Sequence, residues 1–121
     1  MKKVIISILS ILYVGLAQAA VSINLVKTTY DEDFNPTFEI EVKNTESIAL
    51  TNIVVEFTFH ENGANMYDIF SFKNIDKNIK VNVSPNGKET VKISLNGFDD
   101  YKYQSISLEK ARFADGSIKT R

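Results

Sequence analysis

Residues 52–60, Asn-Ile-Val-Val-Glu-Phe-Thr-Phe-His, put Ile53, Val55, Phe57 and Phe59 on one side of an extended chain, with Glu56, Thr58 and His60 on the other. Apolar residues at every second position mark a half-buried strand, because successive side chains of a strand point to opposite faces. The same pattern recurs on both sides of this stretch. Upstream, Val21, Ile23 and Leu25 alternate, as do Phe38, Ile40 and Val42 against Glu39 and Glu41. Downstream come Ile79, Val81 and Val83, then Val91, Ile93 and Leu95, then a long run from Tyr101 to Phe113. β-Branched and aromatic residues fill these runs, as pleated surfaces favour. No stretch after residue 20 sustains a helical repeat. The segment Tyr67 to Asn78 reads two ways, as an edge strand or as irregular chain laying Phe70 and Phe72 over the core.

Turn residues separate the runs: Asn35-Pro36, Asn44-Thr45-Glu46-Ser47, Glu61-Asn62-Gly63, Ser84-Pro85-Asn86-Gly87 and Asn96-Gly97. About seven short strands at this spacing predict an all-β fold, an antiparallel immunoglobulin-like (fibronectin-III-like) β-sandwich. Asp115-Gly116 reads as a two-residue type I′ hairpin turn, placing Phe113 opposite Ile118. Ile106 and Leu108 have one parity and Ala111 and Phe113 the other, so a β-bulge is expected near Glu109-Lys110.

The first twenty residues, MKKVIISILSILYVGLAQAA, have the form of a secretory signal peptide. Lys2 and Lys3 precede the apolar run Val4 to Leu16, and Ala17-Gln18-Ala19 fits a cleavage site before Ala20. The run is shorter than the ~20 residues a spanning helix needs. The expected product is a single domain over 20–121, periplasmic or secreted, with no stable membrane insertion after cleavage of 1–19. With no cysteine, it has no disulfide and no route to a Cys-linked lipid. Without Lys2 and Lys3 the acidic residues are in slight excess and the signs are interspersed. That pattern offers no footprint for nucleic acid.

Asn44 to Ser117 resembles the small immunoglobulin-like modules of exported bacterial proteins, including the FxLYD domains. The matching stretches are NTESIALTNIVVEFTFHENG (44–63) and VSPNGKETVKISL (83–95). These are turn residues and core alternation, so the resemblance implies a fold and transfers no site.

Chemistry is sparse. A nucleophile–base pair is hard to assemble with no cysteine and one histidine, His60, which is expected on the surface at a strand end. No catalytic residue and no cofactor are predicted, and zinc coordination lacks ligands. Asp31, Asp33, Asp99 and Asp100 fall in inter-strand loops and are the candidates for calcium, which takes oxygen ligands. Tyr30, Tyr67 and Phe98 are expected to be exposed near loop ends, where aromatic rings make interfaces. Lys119 and Arg121 lie on the closing strand (Ser117 to Arg121), which, like the first strand (Val21 to Val26), is expected to be an edge open to strand addition. The same two charges would also protect that edge against pairing with other chains. The expected function is therefore a non-catalytic accessory module binding an unidentified envelope or secreted protein. The alternative is a module that binds calcium or glycan through the acidic loops.

Overall fold

A computed structural model describes residues 20–63 and 69–120, with residue 69 and the two short segments 4–6 and 14–15 described as backbone only. The remainder of the expected signal peptide, Tyr67 and Arg121 lie outside the described residues. The described chain is all-β. Its strands are β1 (Val4–Ile6), β2 (Val14–Gly15), β3 (Val21–Tyr30), β4 (Pro36–Asn44), β5 (Leu50–Glu61), β6 (Phe72–Val83), β7 (Lys88–Ser94), β8 (Tyr101–Phe113) and β9 (Ile118–Thr120). Helix among the described residues is confined to one 3₁₀ turn, Ile69–Ser71.

Two antiparallel sheets form a sandwich. One has the order β3-β4-β7, with β1 and β2 both lying along the free edge of β3; the other has the order β6-β5-β8-β9. From residue 21 onward there are thus seven strands, the number expected from the alternation. Phe38, Ile40 and Val42 of β4 and Ile53, Val55, Phe57 and Phe59 of β5 are all buried in a single core shared by both sheets. Burying such side chains contributes about 1.5–3 kcal/mol each relative to exposure. The fold is built on these two central strands.

β8 changes parity twice. Opposite β5 the register shifts between Val54 and Val55, where Glu109 is the extra residue, and again between Thr58 and Phe59, where Gln104 is extra. The bulge expected near Glu109 is present; the one at Gln104 is an addition. Together they let Tyr103, Ile106, Leu108, Ala111 and Phe113 all turn toward the core side despite their uneven spacing.

The hairpin between β8 and β9 corrects the two-residue reading. Gly116 N–H donates to Phe113 O and Phe113 N–H to Ser117 O. Three residues therefore separate the closing pair, and Gly116, at φ 87°, takes the left-handed position while Asp115 does not. This is the type I turn with a glycine bulge. Arg112 rather than Phe113 faces Ile118, so Phe113 stays buried while Ile118 is exposed on the outer surface. The Asp115 carboxylate accepts from the Ser117 N–H and hydroxyl. These two bonds hold its pKa below the usual value. Asp115 is a turn residue.

Three further expectations are overturned. His60 is buried at 3% exposure, its ring 4.6 Å from that of its cross-strand partner Phe72. Phe98 is also buried, at 5%. Phe70, which the irregular-chain reading of Tyr67 to Asn78 laid over the core, is 91% exposed.

Candidate functional site

The loops after β3, β5 and β7 gather at one end of the sandwich. Gly97 N–H donates to Asn35 Oδ1, tying the loop after β7 to the loop after β3. Asn62 N–H donates to Asp100 O, tying in the loop after β5. Both predicted acidic clusters therefore lie at this end. Asp31 is committed locally, since its Oδ1 accepts from Asp33 N–H and Asn35 N–H at 2.9 Å each. Asp33, Asp99 and Asp100 are exposed. Among the described residues no three His, Asp or Glu side chains form a group able to hold a metal ion.

Of the aromatic candidates, Phe98 is the one most changed by folding. Its ring stacks on Phe59 at 4.3 Å and meets Tyr101 edge-on at 5.8 Å. The Lys73 ammonium lies 5.1 Å from the Phe98 ring and 5.5 Å from the Tyr101 ring, within the range of a cation–π attraction. Phe98 therefore closes the core and is unavailable as a surface contact. Tyr30 is half-buried, and burial raises its pKa. Tyr103 sits beside the core 5.1 Å from Phe38. Burial pushes its phenol up to about 12, against a hydrogen bond with the Ile106 backbone and with a contribution from the charge of Tyr30.

Sequence reasoning missed Phe34. It is 62% exposed and has φ 62°, in the left-handed region. That conformation is rare for a bulky non-glycine residue. The signal was present in the sequence, in that one apolar ring stands among turn residues in Asp31-Glu32-Asp33-Phe34-Asn35-Pro36.

The sheet edges differ sharply in charge. β6 carries Lys73, Asp76, Lys77 and Lys80, and β7 carries Lys88, Glu89 and Lys92. Charged side chains on edges discourage pairing with other chains. On short β9, Lys119 is ion-paired with Glu46 at 3.2 Å. β3 is ten residues long and has one charge, Lys27, which lies 4.0 Å from Glu39 of the neighbouring strand. A register shift at Val26 interrupts its pairing with β4 and leaves Val26 40% exposed.

The β3 edge is occupied by added strands. β1 pairs antiparallel with its second half, Val4 opposite Tyr30 and Ile6 opposite Thr28. β2 pairs with its start, Val14 opposite Ile23 and Gly15 opposite Ser22. Both added strands come from the segment expected to be the signal peptide. The first-strand edge named from sequence is thus brought together with an added strand. The closing-strand edge is only three residues long.

No helix among the described residues is long and apolar enough to cross a membrane. No protein-family model matches the chain, and no curated protein matches it. Among solved structures, the fold is similar to that of the Salmonella enterica trimeric lipoprotein SadB, with a TM-score of 0.54 and 14% identity over 84% of this chain. The match covers 54% of the SadB chain, so this chain spans about half of it. At that identity the likeness is one of fold.

Proposed function

We propose that this chain is a non-catalytic, exported binding module of the bacterial cell envelope, immunoglobulin-like in type, which engages a protein partner by strand addition at a sheet edge. The observation that carries the reading is the β3 edge, which is long, nearly uncharged and already paired with added strands. An edge strand offers a row of backbone donors and acceptors, and pairing with an incoming strand satisfies them. The immunoglobulin-like assignment is supported by seven strands divided as β3-β4-β7 and β6-β5-β8-β9. The envelope location rests on the leader pattern of residues 1–19, and the fold shared with a bacterial lipoprotein is consistent with it.

The test is a crosslinking pull-down of the full chain, tagged at its C-terminus and expressed in its own host. The expected result is removal of the leader and recovery of one dominant protein partner from the envelope fraction. Recovery of no protein above background overturns the reading.

A further inference from the structure

Among the described residues, the short last strand leaves a second edge open beside the first. β9 pairs only with Lys110, Ala111 and Arg112 of β8. On that side Tyr101 to Leu108 is paired with no strand among the described residues. The central part of this edge, Tyr103 to Leu108, carries no charge. β8 also approaches β3, and β2, while paired with β3, comes within 8 Å of β8 from Cα to Cα. Among the described residues, the β3 and β8 edges therefore flank a slot with little charge on either side, and β2, which approaches both, belongs to the segment that export would remove.

We infer that in the processed protein this slot is filled by an extended, uncharged segment, rich in β-branched residues, from a partner protein, which pairs along β3 and closes the gap to β8. The inference rests on the function proposed above and names its site and the chemistry of its occupant. The occupant's character follows from what is seated there now. Val4-Ile5-Ile6 lies along Thr28 to Tyr30, and Val14-Gly15 along Ser22 and Ile23. β-Branched residues suit a pleated, half-buried strand. Along Val21–Tyr30 and Tyr103–Leu108 the one charge is Lys27, which lies 4.0 Å from Glu39, so a further charge seated there would lose water with little gained in return. Removal of the leader then serves a second purpose, since it opens the slot only after export.

The experiment places a photoreactive phenylalanine analogue in the full chain, expressed in its own host, at one position at a time: Thr29 on β3, Ser105 on β8, Asn78 on β6 or Thr90 on β7. Crosslinked segments are identified by mass spectrometry. The inference expects adducts from positions 29 and 105, both to one uncharged, β-branched run of another protein, and none from 78 or 90. A lysine on the edge, Val26→Lys, is expected to cut the yield from position 29 by roughly tenfold, as edge charges do. Ser105→Lys does the same from the opposite edge, should Val26→Lys fold poorly. Adducts only from 78 or 90 overturn the slot and leave the proposed partner standing. Retention of residues 1–19, with position 29 crosslinked to residues 4–6 of its own chain, also overturns the slot, as does an adduct to a charged segment. No adduct from any position overturns both readings.

Discussion

The two ends of the sandwich are held shut by different physics. At the end where β4 finishes, a single buried side chain does the joining. Asn44 donates to Ile48 O at 2.9 Å and to Val83 O and Ser84 O at 3.3 Å, and its Oδ1 accepts from Glu46 N–H. Its own N–H donates to Gly87 O, while Thr45 N–H donates to Ala20 O. One amide thus connects the loop after β4 to the end of β6. At the opposite end the joining is aromatic. Phe38, Phe57, Phe59, Phe98 and Tyr103 pass from sheet to sheet, with centroids 4.3–6.5 Å apart. Hydrogen bonds are directional, so the polar end uses its amide fully and leaves little free. Ring packing has no such saturation, and the aromatic end still displays Phe34 and Phe70 to solvent.

The comparison is broken most severely at Phe59. This ring is 1% exposed and touches four other rings. Phe59→Ala is expected to cost about 3–5 kcal/mol, the usual range for emptying a buried aromatic site. That is a large share of the ~5–15 kcal/mol by which domains are stable. Urea denaturation measures it, and a loss below 1 kcal/mol would mean that the aromatic end is not the stronger of the two.

Asn44→Ala tests the polar end. It leaves three carbonyls and one N–H short of a partner, and the expected loss is about 2–3 kcal/mol. Water can enter near the half-buried Ile48 and repair some of it, so the effect should fall below that of Phe59→Ala. Hydrogen exchange adds spatial detail. Amides at Glu46 and Gly87 should speed up, while those of Phe57 and Phe59 should not.

This contrast also marks where the sequence could be read and where it could not. Alternation alone located the core faces of β4 and β5, because a strand's side chains are sorted by parity within one segment. The Glu109 bulge was legible for the same reason, since a parity break is local. Phe98 was not. It stands in Asn96-Gly97-Phe98-Asp99-Asp100, which looks like loop, and it is buried only because Phe59 and Tyr101 meet there with Lys73 above. His60 has the parity of a solvent position and is covered by Phe72, a residue twelve positions away across the β5–β6 pairing. The hairpin failed differently. Pairing the large apolar residues across Asp115-Gly116 assumed that both face the core, whereas short β9 turns Ile118 outward. As for the site, the β3 edge was legible as a first strand, but its lack of protection relative to β6 and β7 emerged only with the strand order.

Among the described residues, the two phenols whose pKa is raised, Tyr30 and Tyr103, both lie at the aromatic end. Burial raises the pKa of Tyr103 in the folded state to about 12, above the ordinary phenol value of about 10. A raised folded pKa means that the folded state holds the proton more tightly. Its contribution is therefore complete below pH 10 and is lost as pH rises from there toward 12. Tyr30 shifts in the same direction. The expected result is a fall in unfolding free energy across this window that becomes shallower in Tyr103→Phe. A slope unchanged by Tyr103→Phe would show that the phenol is not the group responsible.

The smallest effect separates stability from recognition at the aromatic end. Phe34 holds φ 62° in a tight loop, where its N–H donates to Asp31 O at 3.0 Å. Glycine takes that conformation without steric cost, while a strained non-glycine residue loses on the order of 1 kcal/mol there. The exposed ring returns little by burial, and the glycine substitution adds unfolded-state entropy in the other direction. Phe34→Gly should therefore change stability by less than about 1 kcal/mol, toward greater stability. Partner capture by the processed protein should be unchanged if strand addition along β3 carries the binding. A loss of capture with stability intact would move the binding site from the sheet edge to the loop end, and the strain at Phe34 would then be read as holding that ring out toward the partner.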